Sequence, residues 1–239
     1  MSLSEKLEKR SRRLTLAPKM IPILSNIAFS LFALGYFPIF LSKLKQAEDP
    51  KKLWQERIGN LDPMLFQQKD KAPRIWVHAV SVGEVKAVEP FLAILKERGC
   101  DIFLTTVTPT GQKEAQKFLP GKCFYFPFDL TFAVQKALRV VKPDLILLAE
   151  TELWPNFITE ATRLGIPVGV INGRLSKRSF ERYQWILPLI SILLNKLSFI
   201  FTQTKADADR LIGLGAAPEK VQILGNMKFD IAPVEGLPE

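Results

Sequence analysis

Trp76-Val77-His78-Ala79-Val80-Ser81-Val82-Gly83-Glu84 is an apolar run that breaks into a turn and then presents a carboxylate. The run predicts a buried strand, Gly83 a tight turn, and Glu84 a place in the first turn of the next helix. The same grammar returns at Ala149-Glu150-Thr151-Glu152-Leu153-Trp154-Pro155-Asn156, a second strand end carrying two more acids. In open α/β sheets such strand ends meet along one edge, where these folds place their chemistry. The two stretches together predict an acidic site on a doubly wound, Rossmann-like parallel sheet.

Working outward, the same alternation extends over most of the chain. Strands are predicted at 74–80, 101–107, 122–128, 144–149, 166–171, 199–203 and 221–224. Helices are predicted at 85–97, 110–119, 130–141, 154–164, 180–197 and 205–214. Gly99, Pro120-Gly121, Gly165 and Gly215 supply stop signals. Strands without polar alternation, separated by helices of ten or more residues, require a parallel sheet covered on both faces, with right-handed crossovers.

The N-terminal part differs in character. Lys6, Lys9, Arg10, Arg12, Arg13 and Lys19 precede a run from Met20 to Leu41 that contains no charged residue. That is about the length of a membrane-crossing helix. Pro22 and Pro38 shorten its uninterrupted middle, and Lys43, Lys45, Lys51, Lys52 and Arg57 make the far flank basic too. Residues 1–45 therefore read as a membrane-associated hydrophobic helix, spanning or interfacial. Residues 46–73, punctuated by Pro50, Gly59, Pro63 and Pro73, read as a linker or collar, and 74–230 as the Rossmann-like domain.

The chain has 239 residues, is 47% hydrophobic and carries a formal charge of +9. This suits one good core and anionic partners. Cys100 and Cys123 show no metal-type spacing and read as reduced thiols. His78 is the single histidine, which rules out a His-rich metal site; in an apolar strand it reads first as a core residue. A Gly-x-x-x-x-Gly-Lys-Ser/Thr loop, a Gly-x-Gly-x-x-Gly turn after the first strand and a Gly-x-Ser-x-Gly elbow are all missing. That argues against a P-loop phosphotransferase, a dinucleotide dehydrogenase and an α/β hydrolase.

Each candidate residue has a functional and a purely structural reading. The helix dipole would hold Glu84 ionised, which suits a general base, yet acids at helix starts are common. Thr108, Thr110 and Gly111 form a βα turn able to cradle a phosphate or sugar hydroxyls, or simply to cap a helix. Of Glu150 and Glu152, one is expected in the cleft and the other at the start of the next helix. Trp154 is placed to stack on a sugar ring or to fill core. Arg174 is a candidate anion clamp, with Ser176 beside it, and Lys228 is a candidate phosphate contact.

Five segments in register resemble the 3-deoxy-D-manno-octulosonic acid (Kdo) transferases. They are 76–84, Thr106-Val107-Thr108-Pro109-Thr110-Gly111, Glu150-Thr151-Glu152-Leu153-Trp154-Pro155-Asn156, Asn172-Gly173-Arg174-Leu175-Ser176 and Gly225-Asn226-Met227-Lys228-Phe229-Asp230. The resemblance implies the N-terminal half of a GT-B glycosyltransferase that moves Kdo from CMP-Kdo to a lipid A precursor, with no metal or other cofactor and no nucleic-acid partner. It implies a site on the cytoplasmic face of the bacterial inner membrane, among its lipids. It makes Glu84 the general base and one of the later pair a second essential acid; Glu150 is favoured over Glu152 because it ends the strand. Ser81, Gly83, Thr108, Thr110, Gly111, Glu152, Trp154, Arg174, Ser176 and Lys228 become substrate-binding positions. Residues 231–239 become the start of a linker to a CMP-binding domain that the resemblance places after them.

Overall fold

The computed structural model describes residues 23, 26–27, 48–67 and 72–227. The expected anchor lies outside them apart from Ile23, Asn26 and Ile27, as do Lys228 and 231–239. Among the described residues no helix is long and apolar enough to cross a membrane.

Seven parallel strands form one sheet: β1 (Arg74–His78), β2 (Asp101–Thr106), β3 (Cys123–Tyr125), β4 (Leu145–Ala149), β5 (Val168–Gly173), β6 (Phe199–Thr202) and β7 (Val221–Ile223). Their order is β3-β2-β1-β4-β5-β6-β7. The chain thus runs outward from β1 to β3, returns to lay β4 against the other side of β1, and runs outward again. Trp76 pairs with Phe103 on one side and Ile146 on the other, so the first quoted strand is central, and its uniform burial follows from cover on both faces.

Successive side chains of β1 enter different cores. Ile75 and Val77 pack under α2 (Val82–Glu97) and α3 (Pro109–Phe118), with Val85, Val88, Leu92 and Ala115. Trp76 faces the larger core under α4 (Thr131–Val141), α5 (Pro155–Arg163), α7 (Leu187–Lys196) and α8 (Lys205–Gly213). There it lies 5.2 Å from the Phe124 ring and 4.9 Å from that of Phe157. Truncating so deeply buried an indole would cost about 3–5 kcal/mol.

Two stretches fold differently from expectation. Residues 180–197 form two helices, α6 (Lys177–Gln184) and α7, broken at Trp185–Ile186. Pro188, in the first turn of α7, lacks an N–H and crowds the turn before it. The 46–73 stretch contains α1 (Pro50–Arg57) and a 3-10 helix, Pro63–Phe66. Both pack on the β3 edge. Glu56 accepts from the Tyr125 N–H at 2.7 Å, and Arg57 donates to the carbonyls of Phe126, at 2.8 Å, and Val107. Leu53 and Phe66 are buried.

Candidate active site at the β1–β4 crevice

The order of the sheet reverses between β1 and β4, so the chain leaves these neighbours in opposite directions and a crevice opens at their C-terminal ends. The turn after β1 carries Ser81, Gly83 and Glu84; the turn after β4 carries Glu150, Thr151 and Glu152. The structure brings together the acids that the sequence separates by 66 residues or more.

Ser81 is the N-cap of α2. Glu84, three residues on, folds back over it. Its Oε2 accepts from the Val80 N–H at 2.8 Å and its Oε1 from the Ser81 hydroxyl at 3.0 Å. The acid reaches back over the helix start as in a capping box, but to the N–H of the residue before the cap, and Glu84 is only 8% exposed. Contrary to the expectation drawn from the helix dipole, its pKa is raised. Burial is the main cause and outweighs the hydrogen bonds to Val80 and Ser81; the negative charge of Glu150 adds to it. Desolvation favours the neutral form, and here it exceeds what the free amides return. Each oxygen still has a lone pair for a further proton donor.

Glu152 is pushed up to about 7, first by burial, then by Glu84 and Glu150. Glu150 has φ 55°, in the left-handed region, where a glutamate is strained. Its N–H donates to the Ile171 carbonyl at 3.0 Å. Tyr183 on α6 has a raised pKa, through burial and the charge of Glu152, so α6 borders the same crevice. Glu84 and Glu152, both raised first by burial and further by the charge of Glu150, are proton acceptors stronger than a solvated glutamate.

The other positions divide by role. Thr108 caps α3, accepting from the Gly111 N–H at 3.0 Å. Gly111 is a packing residue: a Cβ there would stand 2.9 Å from the Thr108 hydroxyl and 3.4 Å from the Val80 carbonyl. Thr110 is exposed. Gly83 has no left-handed backbone, so it is not the tight turn that was expected. A Cβ there would meet only the Ser81 hydroxyl, at 3.9 Å, which leaves the first turn of α2 bare. Ser176 caps α6 through the Ser179 N–H at 3.1 Å, and Arg174 is exposed beside it. Trp154 precedes α5 and packs on Phe126, 5.3 Å away.

His78 is fully buried and stacks on Phe126 at 3.9 Å. Thr105 Oγ1 accepts from Trp76 Nε1 at 2.9 Å and donates to the Val77 carbonyl, so it meets His78 Nδ1, 3.1 Å away, as an acceptor. Burial and Arg57 push the imidazole down to about 3. It is a neutral core residue. Among the described residues no group of three or more histidine, cysteine, aspartate or glutamate side chains is placed to hold a metal ion.

Sequence reasoning missed Thr151 and Asn172. Thr151 Oγ1 donates to the Arg174 carbonyl at 2.6 Å and ties the acid turn to the β5 exit. Asn172, φ 53°, accepts from the Met227 N–H at 3.2 Å and from Gln203 Nε2, through its own carbonyl, at 3.1 Å. Its tolerance of left-handed backbone was the available signal.

Comparison with known proteins places the chain. A family model described as 3-deoxy-D-manno-octulosonic-acid transferase (kdotransferase) matches residues 52–231. A bifunctional glycosyltransferase/methyltransferase of Fusobacterium nucleatum is 34% identical over 89% of this chain and 32% of its own length. The 3-deoxy-D-manno-octulosonic acid transferase of Haemophilus influenzae is 37% identical over 66% of this chain and 38% of its own. A probable mitochondrial 3-deoxy-D-manno-octulosonic acid transferase of Arabidopsis thaliana is 35% identical over 74% of this chain and 40% of its own. The chain thus spans less than half the length of these relatives. Among solved structures, a UDP-GlcNAc 2-epimerase of Methanocaldococcus jannaschii superposes with TM-score 0.51 at 15% identity, over 64% of this chain and 45% of that one. That likeness concerns the fold alone. With the acidic crevice and a family match that runs from α1 past β7, the chain belongs to the 3-deoxy-D-manno-octulosonic acid transferase family.

Proposed function

We propose that this domain is the acceptor-binding half of a glycosyltransferase that moves Kdo from CMP-Kdo to a lipid A precursor, without a metal or other cofactor. The observation that carries the reading is the meeting of Glu84, Glu150 and Glu152 at the β1–β4 crevice, where Glu84 and Glu152 are held above the ordinary carboxylate range. Glu84 accepts the proton of an acceptor hydroxyl as that oxygen attacks the anomeric carbon. The carbon–oxygen bond to CMP breaks, and CMP leaves with the electron pair. Glu152, buried and held up to about 7, serves as the second essential acid in place of the Glu150 favoured from the sequence, and Glu150 shapes the turn. The bare first turn of α2 at Gly83, with Ser81, gives the sugar close access. Trp154, Thr108, Thr110 and Gly111 frame the crevice. Arg174, Ser176 and Lys228 meet the phosphates of the acceptor or donor. CMP is gripped mainly by the part of the longer relatives that this chain does not match. The basic N-terminal segment holds the protein at the cytoplasmic face of the bacterial inner membrane, where an anionic glycolipid presents its headgroup.

The test is CMP release from CMP-Kdo with a tetraacylated lipid A precursor. The chain is assayed alone and with the C-terminal half of a family member supplied in trans, beside the same pair carrying Glu84→Gln. Turnover in the reconstituted pair, lost in the variant, supports the reading. The rival reading is a non-catalytic lipid-binding module. Retained lipid binding with no turnover in either format would favour it.

A further inference from the structure

One peptide plane carries hydrogen bonds at both ends. The Arg174 carbonyl accepts from Thr151 Oγ1 at 2.6 Å, and the N–H of the same peptide unit, that of Leu175, donates to Asp207 Oδ1 at 2.9 Å. The next carbonyl, of Leu175, accepts from Arg210 Nη1 at 2.9 Å, and Arg210 lies 3.7 Å from Asp207. Asp207 is 5% exposed, and the Leu175 side chain is sunk in the core at 2%. Thr204 orients Asp207: its hydroxyl donates to Oδ2 at 2.5 Å and accepts from the Asp207 N–H at 3.2 Å. An acid at this place in a helix needs only its cap residue. Here the second oxygen reaches 32 residues back in sequence to hold another element.

Thr151 sits between Glu150 and Glu152. What fixes the 174–175 peptide therefore fixes the acid turn on one side and the departure of Arg174 on the other. We infer that Asp207, Arg210 and Thr151 are positioning residues: α8 grips the Arg174–Leu175 peptide, and through Thr151 that peptide sets the turn presenting Glu150 and Glu152 to the crevice. The inference rests on those acids being the reacting groups proposed above. Preorganisation through such supporting contacts decides whether reacting groups keep productive geometry.

The test reads the acids directly and needs no turnover, so its failure and that of the proposed reaction are distinguishable. Glutamate side chains are labelled at the carboxyl carbon and titrated by NMR in the whole chain, with Glu152 assigned through Glu152→Gln. Glu152 faces Glu84, Glu150 and Tyr183; the two glutamates are followed in the same spectra and Tyr183 by its phenol absorbance. In Thr151→Val and Asp207→Ala a loosened turn admits water, and the Glu152 midpoint drops by at least about half a unit, roughly a threefold loss of proton affinity. Asp207→Asn, which keeps an acceptor oxygen, leaves it near the wild-type value. A Glu152 midpoint unmoved in both Thr151→Val and Asp207→Ala overturns the inference, even where the melting temperature falls. Should Asp207→Ala not fold, Thr151→Val alone decides.

Discussion

Glu150 and Asn172 stand on neighbouring strand ends, both with left-handed backbone, at φ 55° and 53°. They lie one residue beyond the pairing of Ala149 with Ile171. Asparagine adopts this conformation readily and glutamate does not. The strain is local to an acid at the crevice, where a requirement for side-chain placement can maintain it. Glu150→Asn should therefore raise stability by about 1 kcal/mol in chemical denaturation. Because it also removes a negative charge, the titration midpoints of Glu84 and Glu152 should fall. A lower unfolding midpoint would show that no strain is relieved at that position.

Glu84→Gln keeps a carbonyl oxygen for the Val80 N–H but removes the proton acceptor. Transfer in the reconstituted pair should drop by at least about 100-fold. The melting temperature should shift by only a few degrees, since the cap survives. A variant with near-normal turnover would leave Glu84 as a capping residue and nothing more.

The elevated pKa of Glu152 has a consequence for stability. In the folded chain it holds its proton up to about 7, against 4.5 for an unperturbed glutamate. Between these values the native state binds more protons than the unfolded one, so its contribution is present at low pH and lost as pH rises through 7. Glu56, also raised to about 7, and Asp129, raised to about 6, slope the same way. The difference between wild type and Glu152→Gln isolates one group. The variant should gain about 2 kcal/mol on wild type between pH 5 and pH 8. Parallel curves over that range would contradict the burial of this acid.

Two glycines at the crevice should behave oppositely. Gly83→Ala meets only the Ser81 hydroxyl, at an ordinary contact distance of 3.9 Å, and should stabilise α2 by about 0.5–1 kcal/mol. Turnover should fall if the bare turn admits the sugar. Gly111→Ala would press on the Thr108 hydroxyl and the β1 exit and should cost about 1–3 kcal/mol. Urea unfolding midpoints separate the pair; equal effects would refute the assignment of Gly111 to packing and Gly83 to access.

The crevice was legible in the sequence because its parts are local. An apolar run that ends in a turn and an acid names its own place at a strand end, and the parallel sheet followed from the alternation. The direction of the Glu84 shift was not legible. The helix dipole is a local property, whereas desolvation depends on what packs over the side chain. Gly83 was misread for a related reason: a glycine signals either strained backbone or missing bulk, and only coordinates separate the two. The break at Trp185–Ile186 was obscured by the apolar run from Leu187 to Leu194, which continues a helical pattern across it. Asp207 reads as an ordinary first-turn acid of α8, and its reach to the Leu175 N–H depends on β5 and β6 lying side by side.

The carboxyl group of Glu84 folds back over the Val80 N–H and the Ser81 hydroxyl at the mouth of α2, beside a helix start of the kind that draws phosphates in other folds. A diphosphate arriving there would have to displace a carboxyl group supplied by the chain itself and would raise the cost of ionising it and the two acids nearby. The crevice is thus biased toward uncharged hydroxyls at its centre, with cations such as Arg174 left to its margin. On the proposed reading, the helix cap itself turns the site toward a sugar hydroxyl and away from its phosphates.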